Sequence, residues 1–123
     1  MVDRLKKRRD FLALRSGPRV AGRGFVLQAG RRSTVSAQNL PEARFGFTVT
    51  KKVGNAVERN RIKRRLKEAV RVTEGLAIDP ACDYVLVARR AALTMPFDDL
   101  QSDLRRMTRQ LARRLSGDKK ATD

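Results

Sequence analysis

The chain has no histidine and only one cysteine among its 123 residues. Without histidine, Ser–His–Asp triads, imidazole acid–base catalysis and histidine metal sites are excluded. The single cysteine, Cys82, can form neither an internal disulfide nor a zinc cluster, and it suits a reducing compartment. We therefore interpret Cys82 as a structural residue and expect a cytoplasmic location.

Long apolar runs, phosphate-binding glycine loops and clustered carboxylates are also missing. No stretch approaches a transmembrane span, and the apolar run near the basic N-terminus is too short for a signal peptide. No Walker-type or GxGxxG loop is present. The 13 acidic residues are scattered or lie near predicted helix starts. The side chains are poorly equipped for catalysis, and we expect no metal or other cofactor bound by the protein alone, no small-molecule substrate and no membrane partner.

What the chain has in excess is positive charge. Its 29 lysines and arginines give a formal net charge of +16, and the sequence pI is about 11.5. Such a balance is typical of proteins that bind nucleic acid and, less often, an anionic membrane surface. The length and the 41% hydrophobic fraction indicate one domain over residues 1–115. We expect residues 116–123 to form a disordered tail.

Hydrophobic periodicity and turn residues predict three helices and four strands in the order αβββαβα, which indicates a two-layer α+β fold. The last helix is the clearest, because Asp98 and Asp99 near its start and Arg113 and Arg114 near its end match the helix macrodipole. The predicted helices cover residues 3–15, 56–71 and 97–115, and the predicted strands cover residues 25–28, 33–35, 43–50 and 83–88, with a hairpin turn at residues 30–32.

The central helix is too basic to be an ordinary surface helix. Asn55 can cap its N-terminus, and Ile62, Leu66, Ala69 and Val70 recur at the spacing of one buried face. At about 100° per residue, the opposite face collects polar and basic side chains. These are Asn60, Lys63, Arg64, Lys67 and Arg71, while Arg59, Arg61 and Arg65 flank the apolar stripe. Like charges at such spacings destabilise a helix, so we expect a polyanionic partner.

Two further features admit two interpretations each. Phe11 lies among basic residues, so it either packs in the core or stacks on a nucleic-acid base. The strand at 43–50 places Thr48 and Thr50 on the face opposite its large apolar residues, where they either line a groove or simply face solvent.

Composition alone leaves several functions open. A ribosomal or other structural RNA-binding protein fits the charge as well as any alternative. A DNA-binding helix in the major groove is disfavoured because helix-turn-helix spacing and dimerisation heptads are absent. A membrane-surface helix would need an apolar face richer in aromatic residues.

The stretch KKVGNAVERNRIKRRLKEAVR resembles the protein subunit family of bacterial ribonuclease P. That family carries an RNR motif on a basic helix after a KK-G-N-A-V segment, and here the two occupy residues 59–61 and 51–57. RLKKRRDF at residues 4–11, GFVL at 24–27 and DYVLVARR at 83–90 also resemble the family pattern. The resemblance covers nearly the whole predicted domain in the right order.

The resemblance implies a small mixed four-stranded sheet with a left-handed βαβ crossover, contrary to the usual right-handed preference. It also implies an endoribonuclease in which the RNA subunit and its Mg²⁺ ions cleave the 5′ leader from precursor tRNA, while the protein assists. The implied partners are therefore the catalytic RNA and the precursor tRNA leader.

Two surfaces follow from the resemblance. The RNR helix and the segment before it would bind the catalytic RNA, through Lys51, Lys52, Asn55, Arg59, Asn60, Arg61, Lys63, Arg64, Lys67 and Arg71. A cleft between the first helix and the sheet would hold the single-stranded leader, through Phe11, Arg15, Gln28, Thr48 and Thr50. Phe11 matches a family aromatic, whereas Arg15 and Gln28 stand at positions often aromatic in the family. We therefore expect the leader contact to depend more on charge.

Overall fold

Within the described part of the chain, five strands form one mixed sheet. The computed structural model describes residues 3–4, 17–31, 44–79 and 82–121. Its strands are β1 (Asp3–Arg4), β2 (Arg19–Ala21), β3 (Phe25–Arg31), β4 (Arg44–Thr48) and β5 (Cys82–Ala88). In the order β1-β4-β5-β3-β2, β4 pairs in parallel with β1 and β5, and the other pairs are antiparallel. The predicted α+β class and mixed sheet are confirmed. Strands β3, β4 and β5 correspond to three of the four expected strands, whereas β1 and β2 were not among them.

Two long helices complete the described fold. Helix α1 (Ala56–Val72) follows a short 3₁₀ helix at Lys51–Val53, and helix α2 (Phe97–Ala121) follows another at Arg90–Leu93. Since α1 connects the adjacent parallel strands β4 and β5, the three form a βαβ unit. The left-handedness of this βαβ crossover stays a prediction.

The capping of α1 by Asn55 is confirmed. Asn55 Oδ1 accepts the Glu58 N–H at 2.9 Å, and Glu58 Oε1 accepts the Asn55 N–H at 3.0 Å. This reciprocal capping box satisfies two backbone donors at the start of the helix.

Replacing Asn55 with alanine should destabilise the protein by about 1 kcal/mol, because the Glu58 N–H loses its acceptor. Chemical denaturation monitored by circular dichroism measures this change. Asn60→Ala is the matched control, since Asn60 lies exposed within α1 and alanine is the better helix former there. Equal loss of stability in both variants would contradict the capping role.

The core lies between one face of the sheet and the two helices. Phe45 and Tyr84 stack on neighbouring strands with ring centroids 5.1 Å apart. The predicted apolar stripe of α1 is confirmed, because all four of its side chains are buried. The same cluster includes Phe25, Leu27, Phe45, Tyr84 and Leu86 from the sheet, Ile62, Leu66, Ala69 and Val70 from α1, and Leu100, Leu104, Met107 and Leu111 from α2.

The hairpin differs from its prediction. The turn lies between β2 and β3, where the Gly22 N–H donates to Phe25 O at 2.9 Å, whereas Gly30 lies inside β3 and pairs with Asp83 of β5. Long-range pairing with β5 overrides the turn preference of Gly30. A Cβ on Gly22 would lie 2.7 Å from Met107 Sδ, so glycine permits the close approach of α2. The predicted strand at 33–35 lies outside the described residues.

The two ends of the chain also differ from the sequence interpretation. Asp3–Arg4 form β1 beside β4, so the helix predicted from residue 3 is wrong at these two positions, because backbone pairing with β4 overrides weak local propensity. The remainder of that predicted helix lies outside the described residues. Helix α2 continues to Ala121, whereas the sequence predicts an end at Leu115 followed by a disordered tail. No proline interrupts the helix beyond Leu115, and Gly117 is tolerated inside it at a cost of about 1 kcal/mol.

Candidate nucleic-acid interface

The polar face of α1 points away from the core, as its periodicity predicts. Asn60 and Arg64 are exposed, and Lys63 and Lys67 are half-buried. Arg61 is also exposed, nearer the N-terminal end of the helix. The structure therefore gathers these predicted RNA-binding side chains on one helix surface, where cationic groups can reach a polyanion.

Arg71 and Arg59 occupy different surroundings from the rest of this set. Arg71 Nε donates to Glu68 Oε2 at 3.0 Å, and Arg71 Nη2 also pairs with Glu68. This hydrogen bond, followed by the charge of Arg71, lowers the pKa of Glu68. Arg59 is half-buried, and its buried Nε has no hydrogen-bond partner among the residues that the structure describes. The exposed Glu68 pair contributes little stability, so an RNA phosphate can replace the carboxylate at Arg71.

Arg65 holds the fold together rather than facing outward. Its Nη1 donates to Ala92 O at 2.5 Å and to Leu93 O at 3.0 Å, and its Nη2 donates to Met95 O. The guanidinium thus satisfies carbonyl groups at the end of the second 3₁₀ helix. Arg65 has a structural role that helical periodicity does not reveal, since its acceptors lie 27 to 30 residues away in sequence.

An ion pair fixes the segment before α1. Arg90 Nη2 lies 2.8 Å from Glu58 Oε2, and Arg90 Nη1 donates to Val53 O at 2.9 Å. The hydrogen bond from Arg90 and then the Asn55 N–H lower the pKa of Glu58. A Cβ on Gly54 would lie 2.5 Å from Glu58 Oε1, so a larger residue here would displace the carboxylate that forms the cap and the ion pair.

The first three predicted RNA-binding residues lie next to this ion pair. Lys51 and Lys52 are exposed on the first 3₁₀ helix, and the Arg90–Val53 contact holds that helix against the start of α1. The Oδ1 of Asn55 is used in the helix cap. The two lysines therefore extend the basic surface of α1 beyond its N-terminus.

A groove beside the start of α1 was not anticipated from the sequence. It has a volume of about 540 Å³ and is lined by Val57, Glu58, Arg61, Arg65, Leu93 and Thr94. Val57 is 76% exposed. It lies one helical turn before Arg61, so the two side chains are neighbours on the helix surface. An apolar side chain beside a guanidinium can contact the flat face of a nucleobase. In the sequence, Val57 falls on the polar side of the helical pattern, and this misplaced apolar residue is the signal that could have revealed the groove.

The predicted cleft residues are only partly described. Gln28 and Gly46 both pair with Val85 of β5, while Thr48 pairs with Val87. Strand alternation therefore places Gln28 and Thr48 on the sheet face opposite the core that α1 and α2 cover.

Thr50 is exposed after β4, and its carbonyl accepts the Val53 N–H at 3.1 Å. Phe11 and Arg15 lie outside the described residues. The structure thus brings Gln28 and Thr48 to one face and leaves Thr50 at its edge.

The described part of the chain offers little for metal binding. Within residues 3–4, 17–31, 44–79 and 82–121, no group of three or more His, Cys, Asp or Glu side chains could hold a metal ion. Hard cations such as Mg²⁺ require several oxygen ligands, so these residues do not fit a Mg²⁺ site of their own. Among the same residues, no helix is both long and apolar enough to span a membrane.

Sequence comparisons relate the chain to ribonuclease P. The family model described as Ribonuclease P matches residues 2–112. The ribonuclease P protein component of Brucella suis is 45% identical over 123 residues, covering 98% of this chain and 87% of the relative. That of Bartonella quintana is 51% identical over 104 residues, covering 84% of this chain and 78% of the relative.

Solved structures show the same relationship. The RNase P protein of Staphylococcus aureus superimposes with a TM-score of 0.68 at 32% identity, covering 89% of this chain and 94% of that one. The RNase P protein of Thermotoga maritima gives a TM-score of 0.65 at 27% identity, covering 85% and 96%. By family match, sequence identity and fold, the chain belongs to the ribonuclease P protein component family.

Proposed function

We propose that the chain is the RNA-binding protein subunit of ribonuclease P and assists its catalytic RNA in removing the 5′ leader from precursor tRNA. Family membership supports the general role in ribonuclease P and tRNA processing, and it implies an RNA partner. The observation that carries the finer proposal is the basic face of α1, backed by a buried apolar stripe.

The α1 face and the segment before it would bind the catalytic RNA. Arginine suits this contact because its planar guanidinium binds phosphate through two hydrogen bonds and stacks on bases. Arg61 and Arg64 supply such groups, and lysines on either side supply point charges. The capping box and the Arg90–Glu58 ion pair position the start of this surface before RNA arrives, which lowers the cost of ordering it on binding.

The sheet face that carries Gln28 and Thr48 would contact the leader. Both are hydrogen-bonding side chains, and such residues hold a single strand without requiring a fixed sequence. With Phe11, Arg15 and Thr50, they form the proposed leader cleft. In this cleft, Phe11 would stack on a base and Arg15 would contribute positive charge to the leader contact.

Catalysis belongs to the RNA in this proposal. In the assembled holoenzyme, the RNA rather than this chain would hold the Mg²⁺ ions that cleavage requires. The chain contributes binding and orientation, since it has no histidine and no acidic cluster among its described residues. It would act in the cytoplasm. Rigorously RNA-free protein should therefore leave precursor tRNA intact, and Mg²⁺-dependent cleavage by it would contradict this division of labour.

The competing function is that of a ribosomal or other structural RNA-binding protein. Gel-shift titrations can separate the two by comparing a ribonuclease P RNA transcript with a ribosomal RNA fragment of equal length at the same salt. Our proposal expects clearly tighter binding to the ribonuclease P RNA. Equal affinity for both transcripts would favour the competing function.

Phe11→Ala tests the leader cleft. If Phe11 stacks on the leader, the holoenzyme carrying the variant should bind leader-bearing precursor about 1–3 kcal/mol more weakly, with mature tRNA almost unaffected. If Phe11 packs in the core, the variant should instead lose about 3–5 kcal/mol of folding stability. Thermal melting and the precursor-to-mature affinity ratio, measured on the same variant, distinguish these roles. An unchanged ratio with a lowered melting temperature would remove Phe11 from the cleft.

A further inference from the structure

Helix α2 carries a second basic surface that the proposed function does not use. Residues 105–114 contain five arginines and no acidic residue. At about 100° per residue, these arginines project from about half of the helix circumference, and the buried Leu104, Met107 and Leu111 occupy the other half. We call this surface the α2 arginine face, formed by Arg105, Arg106, Arg109, Arg113 and Arg114.

Some of these arginines have partners in the fold and others have none. Arg105 Nε donates to Glu74 O at 2.9 Å, and Arg106 Nη2 lies 3.6 Å from Asp103 Oδ1. Arg109 and Arg113 are exposed, and neither forms a hydrogen bond or ion pair with any residue that the structure describes. The middle of the face therefore presents two guanidinium groups to solvent.

Folding gives no reason for the positive charges of Arg109 and Arg113. Arg109 and Arg113 are four residues apart on α2, a spacing at which like charges destabilise a helix. The macrodipole acts within the last turn of a helix, whereas α2 continues to Ala121. Arg113 thus lies about two turns before the helix end, and the macrodipole explanation suggested by the sequence does not hold for it.

A groove runs beside the arginine face. It has a volume of about 390 Å³ and is lined by Arg19, Val20, Ala21, Gln110, Arg113 and Arg114. Arg114 Nη1 donates to Arg19 O at 2.6 Å, which fixes this guanidinium at the groove wall. Among the described strands, β2 is the edge of the sheet, so the groove lies where these strands end against α2. Its arginines and the Gln110 amide match the charge and hydrogen-bonding capacity of a phosphodiester backbone.

We propose that the α2 arginine face and the β2 edge bind the phosphate backbone of a second segment of the same RNA that α1 binds. The identity of this RNA rests on the proposed function. Helices α1 and α2 contribute to one core on one side of the sheet, so both can engage a single large RNA. Joining two contacts in one protein raises the affinity through effective concentration.

Site-directed crosslinking tests this contact. The chain's one cysteine, Cys82, is fully buried, so a cysteine introduced on the surface can be labelled selectively with azidophenacyl bromide. In complexes with a ribonuclease P RNA transcript and precursor tRNA, Arg109→Cys should crosslink to the ribonuclease P RNA at nucleotides different from those reached by Arg64→Cys on α1. Asp98→Cys, exposed near the start of α2, is the control and should give at most background crosslinking.

The outcomes separate this inference from the proposed function. Crosslinking by Arg64→Cys but not by Arg109→Cys would overturn the second surface alone, as would crosslinks of Arg109→Cys only to precursor tRNA. Failure of both variants to crosslink to the ribonuclease P RNA would overturn this inference and also the proposed binding of that RNA by α1.

Salt titration gives an independent readout. For Arg109→Gln/Arg113→Gln, the rise in Kd between 50 and 200 mM salt should be about tenfold smaller than for the unmodified protein, since about 0.9 counterions are released per phosphate. Arg109→Lys/Arg113→Lys keeps the charge and should retain the original salt dependence. Thermal melting confirms that both variants fold. An unchanged salt dependence in the glutamine variant would overturn the proposal.

Discussion

The affinity of the protein for ribonuclease P RNA should fall by on the order of 10³ between 50 and 200 mM salt. The expected steepness follows from the net charge of +16 and from a basic face that can neutralise about six phosphates or more, each releasing counterions. The side chains expected to make these contacts are Lys51, Lys52, Arg61, Lys63, Arg64 and Lys67. Filter-binding titrations at several salt concentrations measure the slope of log Kd against log salt.

A paired substitution on α1 shows whether this surface causes the slope. Lys63→Gln/Arg64→Gln removes two charges while keeping good helix formers, so the slope should decrease by about 2. The apolar stripe is unchanged, and the variant should melt like the unmodified protein. A nearly flat slope for the unmodified protein would mean that its basic surfaces are not the RNA interface.

Two adjacent arginines of α1 should respond in opposite ways to alanine substitution. Arg65→Ala leaves three backbone carbonyls, in and just after the second 3₁₀ helix, without their guanidinium donors, and it should destabilise the fold by about 2–3 kcal/mol. Arg64→Ala leaves folding stability unchanged, because Arg64 is exposed, but should weaken RNA binding by about 1–3 kcal/mol if its contact is bidentate.

Each variant is the control for the other, since both remove one arginine from the same helix. Denaturation measures stability without RNA, and binding is then compared at a temperature where both proteins are folded. If Arg64→Ala destabilised the protein as much as Arg65→Ala, the division of α1 into a structural side and an RNA-binding side would be wrong.

Features set by local periodicity were predictable from the sequence. The stripe of α1 appears as Ile62, Leu66 and Val70 at helical spacing, and the cap follows from the type and place of Asn55. Strand β5 was predictable as an uninterrupted apolar run, because a central strand is buried on both faces. The basic face of α1 is the geometric complement of its stripe, so the candidate site followed from the same pattern.

Features set by long-range contacts were not predictable. Helix α2 packs close to the hairpin turn, where a Cβ on Gly22 would lie 2.7 Å from Met107 Sδ. The structural role of Arg65 depends on carbonyls that only tertiary folding brings near. Val57 differs from its neighbours only in being an exposed apolar residue on a basic helix. The end of α2 was also not predictable. With the helix predicted to end at Leu115, Arg113 was interpreted as stabilising the helix macrodipole, whereas α2 continues to Ala121.

Reconstitution tests the central claim most directly. Purified protein is added to a ribonuclease P RNA transcript at low Mg²⁺ concentration, and cleavage of precursor tRNA at the leader junction is followed over time. We predict that the protein stimulates cleavage, that Lys63→Gln/Arg64→Gln requires a higher protein concentration for the same stimulation, and that protein without RNA gives no product. Cleavage by the RNA that stays at the same rate with and without saturating protein would contradict the account.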